Sequence, residues 1–124
     1  MIRIFDLDIK YGNYGIQILT FSGECIFADR PKRVDDLLAK TLEKTPKHLI
    51  VDFSGCSLLD SSAIGTLIAY HNKLRDKVPD ARMAVVTGVS NYLVRKLSNL
   101  GVFNYAGIEI FKTLQEAESS LSGK

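Results

Sequence analysis

Charge of one sign is scarce in this sequence. Sixteen Lys and Arg stand against fourteen Asp and Glu over 124 residues, a formal net charge of +2. A protein that tracks nucleic-acid phosphates carries a concentrated basic stripe, so no nucleic-acid partner is expected. Long apolar runs are missing too: the uncharged stretch 61–72 falls well short of the ~18 apolar residues that span a bilayer, and no direct membrane insertion is expected. The opening Met1-Ile-Arg-Ile-Phe-Asp6 carries charge where a secretory leader would be apolar, and the expected compartment is the cytoplasm. Cysteine is represented only by Cys25 and Cys56, with no CxxC spacing. In a reducing cytosol two such thiols read as small buried hydrophobes rather than a bridge.

Chemical motifs are equally sparse. His48 and His71 are paired neither with cysteine nor with each other, and there is no HExxH, so no metal is expected. No Gly-rich phosphate loop is present, and no cofactor is expected. Repeats, low-complexity tracts and Pro- or Ser-rich linkers are absent. With 46% hydrophobic and 24% charged residues the composition is that of a folded chain, and residues 1–124 read as one domain. A chain of this length buries roughly two-thirds of its unfolded surface without needing a disulfide or a metal.

What is present is a series of periodic elements. Phe5, Leu7, Ile9 and Tyr11 alternate with Asp6, Asp8 and Lys10, the period of a half-buried strand. Gly12-Asn13 supplies a turn into a second strand over 14–21, with Ile16 and Ile18 on one side, which makes an antiparallel hairpin. Asp29 is placed to cap a helix carrying Val34, Leu37, Leu38 and Leu42, stopped by Pro46. The run 48–53, His-Leu-Ile-Val-Asp-Phe, lacks alternation and predicts a central strand buried on both faces. A loop containing Gly55 then leads to a helix over 61–77. A strand over 83–87 follows, then a helix capped by Ser90 with Val89 and Val94 as a hydrophobic staple. That helix carries Leu93, Val94, Leu97 and Leu100, and Gly101 ends it. A strand over 108–111 precedes a capping box, Thr113-Leu-Gln-Glu116, opening a last helix that buries Leu114, Ala117 and Leu121. The order β-β-α-β-α-β-α-β-α implies an α/β fold. The expected form is a mixed sheet with a leading antiparallel hairpin, βα units, about five strands and four helices.

The segment 49–76 carries most of the functional information. Asp60 stands where an N-cap belongs, so Ser61 and Ser62 fall in the first helical turn, a position favourable to negative charge. At ~100° per residue, Ile64, Leu67, Ile68, His71, Leu74 and Val78 share one face. Ser62, Gly65, Thr66, Ala69, Lys73 and Asp76 share the other. Exposed helix faces ordinarily carry Lys, Glu, Arg and Gln, and Gly65 inside a helix costs ~1 kcal/mol relative to Ala. Either a loop of the same chain packs closely on Gly65 and Ala69, or another protein lies flat across this face with Ser62 at its edge. A phosphate on Ser62 adds about −1.5 to −2 charges. The helix start tolerates it; a docked partner does not, because juxtaposed like charges cost several kcal/mol.

The run Leu58-Leu-Asp-Ser-Ser-Ala-Ile-Gly65 resembles the D-S-S-G-L-G signature of STAS domains, in particular the anti-sigma factor antagonists. The preceding Leu49-Ile-Val-Asp-Phe53 is similar to that family's strand, Thr87-Gly-Val-Ser90 to its later loop, and Glu116-Ala117 to Leu121 to its terminal helix. The resemblance implies that Ser62 is a phosphoacceptor and that the chain itself catalyses nothing. It implies as partner a serine-protein kinase of the GHKL ATPase type that doubles as an anti-sigma factor. A metal-dependent serine phosphatase would reverse the modification. The resemblance places Asp60 and the neighbouring loop in the kinase-binding surface; together with the smooth helix face this gives an expected docking set of Asp60, Ser61, Ser62, Ala63, Gly65, Thr66, Ala69 and Lys73. Ala63 replaces the signature's first glycine. The cluster Arg30, Lys32 and Arg33 opposes a helix dipole and is either a solvated face offset by Asp35 and Asp36 or a contact for an acidic partner.

Other readings compete. Ser62 as a nucleophile needs a base in reach. His71 lies ~13 Å along the same helix on the other face, and His48 lies on the order of 16 Å away along a strand; His71 reads as a hydrogen-bonded core histidine. No GxSxG elbow is present. Asp52, Thr87 and Lys112 fall near strand ends as in a phospho-aspartate receiver, but receivers begin β-α-β. Within the resemblance itself, some STAS domains are unphosphorylated regulatory parts of membrane transport or lipid-trafficking systems.

Overall fold

Alternation in the first segment becomes strand β1 (Asp6–Tyr11), and the Gly12 N–H closes the turn by donating to the Ile16 carbonyl at 2.8 Å. Strand β2 (Ile16–Cys25) runs back antiparallel, Tyr11 opposite Gln17 and Asp6 opposite Ser22. This is the expected hairpin, and it is not how a receiver begins. The computed structural model describes residues 6–12, 14–29, 31–98 and 107–122. After a 3-10 turn (Phe27–Asp29) come α1 (Pro31–Glu43), β3 (His48–Leu59), α2 (Ser61–Lys77), β4 (Arg82–Val86), α3 (Asn91–Ser98), β5 (Glu109–Phe111) and α4 (Leu114–Leu121). The five strands lie side by side in chain order, β2 through β5 mutually parallel. The mixed-sheet architecture read from the sequence is the observed one.

Each face of the sheet has its own cover. Leu19, Phe21, Leu49, Val51 and Phe53 meet Val34 and Leu38 of α1, Leu67 and Leu74 of α2, and Leu93 and Leu97 of α3. Ile16, Ile18, Ile50, Ala84 and Val86, on the other face, are covered by Ala117 and Leu121 of α4. Leu49, Ile50, Val51 and Phe53 are all fully buried, which explains the unbroken apolar run. Helix α4 opens with the expected capping box: the Glu116 N–H donates to Thr113 Oγ1 at 3.1 Å, and the Thr113 N–H donates to the Glu116 carboxylate at 3.2 Å.

Four local expectations are corrected. Strand β3 does not end near Phe53; it runs through Gly55 to Leu59, pairing with β2 across two register shifts. Gly55 is a residue of this irregular ladder rather than of a loop, and a side chain there would stand 3.1 Å from Ser22 Cβ. Val89 is 94% exposed, so it forms no staple with Val94. The cap of α3 is present without it, the Leu93 N–H donating to Ser90 Oγ at 3.2 Å. Asp29 ends the 3-10 turn instead of directly preceding α1, which starts with Pro31, a residue suited to the first helical position. His71 is buried as expected, yet its Nδ1 has no hydrogen-bond partner among the described residues. Phe5, Asn13, Leu100 and Gly101 lie outside the described residues.

Candidate functional site at the start of α2

Asp60 organises the site. Its Oδ1 accepts the Ala63 N–H at 3.1 Å and so caps α2. The same carboxylate accepts the N–H groups of Phe27 and Ala28, each at 3.1 Å, across 33 and 32 residues of chain. The 3-10 turn that leads into α1 is therefore fixed to the start of α2. Below this junction Phe27 packs with Phe21 and Phe53, at centroid separations of 5.2 and 6.4 Å. Such pairs contribute ~0.5–1.5 kcal/mol beyond their buried area. Asp60 is only half-buried, but its oxygens already accept three donors; its main task is to hold the two chain segments together.

Ser61 and Ser62 follow, both exposed in the first turn of α2. The first N–H groups of a helix have no partner within it, and the cap takes only that of Ala63. Gly65 and Ala69 are exposed and Thr66 is half-buried. A side chain built on Gly65 meets nothing within 4 Å. That removes the explanation in which a loop of this chain, among the described residues, packs on the glycine.

The face is not flat. Ser62, Gly65, Thr66, Ala69 and Lys73 form one wall of a groove of about 710 Å³, whose other wall is α1 with Asp35, Asp36, Ala39 and Leu42. The groove thus gathers Ser62, Gly65, Thr66, Ala69 and Lys73 from the expected docking set. Ala63 is not among them: it is fully buried, with its methyl in the core. Its place in the signature is structural, where a small residue lets the first turn sit on the sheet.

The α1 wall was not anticipated from sequence, although Asp35, Asp36, Ala39 and Leu42 share helical spacing on the side away from Val34. A second unforeseen feature is a set of exposed apolar side chains near the same end of the sheet. Leu58 and Tyr92 are each 41% exposed, and Val89 projects from the β4–α3 connection. The Tyr92 hydroxyl donates to the Leu59 carbonyl and accepts the Leu59 N–H, both at 3.1 Å, which ties α3 to the end of β3 beside Asp60.

Neither histidine stands at Ser62. His71 is 2% exposed on the opposite face of α2, and burial, with Arg75 nearby, holds its imidazole below the usual range. His48 opens β3 at its far end, and its Nδ1 accepts the Arg82 N–H at 3.1 Å. Burial, then Arg82 and Lys47, lower it as well. Cys25 and Cys56 are buried and unbridged as expected. The adjoining Cys25 thiol, together with burial, pushes the Cys56 thiol far up. Asp52 is mid-strand and buried, its Oδ1 accepting the Ser54 N–H at 2.9 Å. No metal-competent cluster of His, Cys, Asp or Glu occurs among the described residues. No helix among them is long and apolar enough to cross a membrane. Of the basic cluster, Lys32 is exposed on α1; Arg30 and the Arg33 side chain lie outside the described residues.

None of the curated proteins matches the chain in sequence. Solved structures share its fold. An anti-sigma factor antagonist from Mycobacterium paratuberculosis is 19% identical with a TM-score of 0.75, over 96% of this chain and 95% of that one. The anti-sigma factor antagonist SpoIIAA in its unphosphorylated form is 19% identical with a TM-score of 0.67, over 96% of this chain and all 100% of the other. The murine anion transporter Slc26a9 is 19% identical with a TM-score of 0.70, over 99% of this chain but only 23% of the transporter. The family model for the STAS domain matches residues 9–117. With a match of that length, and with the hairpin, the parallel strands and the capped α2 in place, the chain belongs to the STAS domain family.

Proposed function

We propose that the chain is a phosphorylation-controlled binding module, an anti-sigma factor antagonist. Unphosphorylated, it docks a GHKL-type serine kinase that is also an anti-sigma factor; phosphorylation of Ser62 ends the interaction, and a metal-dependent serine phosphatase restores it. The chain performs no catalysis in this scheme and works in the cytoplasm. One observation carries the reading: an exposed serine stands at a capped helix start, beside a groove whose α2 wall includes a glycine where an added Cβ would meet nothing within 4 Å among the described residues.

The physical logic follows from that placement. A partner segment entering the groove can approach the α2 backbone closely at Gly65 and Ala69. A phosphate on Ser62 would sit at the groove that also holds Asp35 and Asp36, and a closely packed partner would have to strip its water. Phosphate placed in an interface or next to acids disrupts by desolvation and like-charge repulsion. Asp60 keeps its cap on Ala63 in either state, so the fold tolerates the modification.

Incubation with candidate serine kinases and ATP, followed by intact-mass and fragment analysis, tests the assignment; one phosphate on Ser62 is expected. Ser62→Asp should weaken kinase binding by a factor of hundreds with an unchanged circular dichroism spectrum. Ser62→Ala should bind and resist inactivation. Equal binding by Ser62→Asp and the native chain would refute the switch. The Slc26a9 likeness favours a second reading, an unphosphorylated STAS subunit of a membrane transport or lipid-trafficking system. Copurification with a transporter ATPase and no serine kinase would establish that one instead.

A further inference from the structure

The far end of the sheet holds a second concavity that the groove does not use. A pocket of about 340 Å³ lies between the β1–β2 turn and the α1–β3 connection, with Tyr11, Gly15, Gln17, Lys44, Thr45 and Lys47 in its lining. Lys47 precedes the first residue of β3, whereas Ser62 follows the last, so the whole length of that strand separates the two sites.

Three observations converge on a ligand. Gln17 is 4% exposed, and its Oε1 is buried without a hydrogen-bond partner among the described residues. Buried polar atoms are rarely left so, and an orphaned acceptor costs ~1–3 kcal/mol. Next, Lys44 and Lys47 are exposed in the lining, Lys10 is exposed next to Tyr11, and no acidic side chain among the described residues lines the pocket. Lys47 is held in place: its N–H donates to the Gly15 carbonyl at 3.0 Å, and its stem lies against Gly15, where φ is +74° and a Cβ would stand 3.2 Å from Lys47 Cβ. Finally, Tyr11 and Tyr14 are 68% and 70% exposed. Large aromatic rings with a polar tip are enriched where proteins meet, and β1 is an edge of the sheet, open on its outer side among the described residues.

We propose that this pocket docks an acidic, extended segment of a partner protein. Its carboxylates pair with Lys44 and Lys47, one of its backbone N–H groups supplies the donor that Gln17 Oε1 lacks, and its flanks lie over Tyr11 and Tyr14. The two lysines of the lining give the charge complementarity that selects such a partner, while the Glu118 carboxylate comes to 3.7 Å from where a Gly12 Cβ would stand. A lipid surface fits less well, because a flat bilayer offers headgroups to the exposed lysines but does not reach down to a recessed carboxamide. The site goes beyond the Ser62 switch and does not depend on it.

The test is an NMR titration of the nitrogen-15-labelled full chain with a short oligoglutamate peptide. Saturable shifts are expected at Gly15, Gln17, Lys44 and Lys47, including the Gln17 side-chain amide. The double variant Lys44→Glu/Lys47→Glu changes only exposed side chains, and it should bind at least about tenfold more weakly with an unaltered native spectrum elsewhere. The proposal is overturned if no saturable shift occurs, or if the double variant binds as the native chain does. Shifts centred on Ser62, Gly65 and Ala69 would overturn it too, since they would belong to the groove. So would binding of phosphatidylglycerol–phosphatidylcholine vesicles through the same lysines with no binding of the peptide.

Discussion

Toward the sheet, α2 presents Ala63, Ile64, Leu67, Tyr70, His71 and Leu74, all buried; toward the groove it presents Ser62, Gly65, Ala69 and Lys73. The apolar members of the first set are accounted for within the chain; Tyr70 also lines the groove, and the buried His71 Nδ1 has no hydrogen-bond partner among the described residues. Each large side chain removes apolar surface from water, worth ~1.5–3 kcal/mol apiece. The second set has no such account. Gly65 lowers the helix's own stability by ~1 kcal/mol relative to Ala, and nothing among the described residues lies within 4 Å to make use of the space it leaves. A local cost with no return among the described residues points to a return outside them. The two faces of one helix thus separate what the fold needs from what a partner needs.

Three changes test that separation. The largest effect is expected on the inner face: Leu67→Ala empties a fully buried position and should destabilise by ~2–5 kcal/mol, read from the urea midpoint at constant m. Partner affinity per folded molecule should not move. On the outer face Gly65→Ala should do the reverse, stabilising the chain by up to ~1 kcal/mol while weakening partner binding. A Gly65→Ala chain that is more stable and binds unchanged would break the link between the glycine and docking.

The smallest effect concerns pH. The folded His71 imidazole lies below its ordinary 6.5, chiefly because it is buried and secondarily because of Arg75. Above that value the ring is neutral in both states. As pH falls through it, the unfolded chain takes up a proton that the folded chain resists, and stability declines. His48 acts in the same direction. The melting temperature should therefore fall between about pH 8 and about pH 5.5, and His71→Leu should flatten part of that slope.

Much of this is legible in the residues because the local rules agree. Asp60 as a cap, followed by a stripe at helical period, gives α2 its observed bounds of Ser61–Lys77. Thr113 and Glu116 likewise announce α4. What escapes is set by tertiary contacts. Ser54, Gly55, Ser57 and Leu58 are exposed, so the second half of β3 looks like a loop until β2 is seen beside it. Tyr70 carries a polar tip, yet it is 3% exposed in the core. Val89 has the spacing of a staple but points into solvent. Ser62 and the smooth face can be picked out from the sequence, but the groove cannot. Its second wall comes from α1, whose approach depends on Asp60 accepting N–H groups more than thirty residues away.

The strands stand in the sheet in the order in which they are made. During synthesis each new strand therefore finds its neighbour already laid down, and none has to be inserted between two others, a route that limits the long-range searching by which parallel sheets fold slowly. One surface is left behind by this sequence of events. Ile16, Ile18, Ile50, Ala84 and Val86 stay wet until residues 114–121 emerge and Ala117 and Leu121 close over them. A chain whose last helix has yet to emerge would show its paired strands with a bare greasy back, and it is there that a nascent-chain chaperone would find a surface to hold.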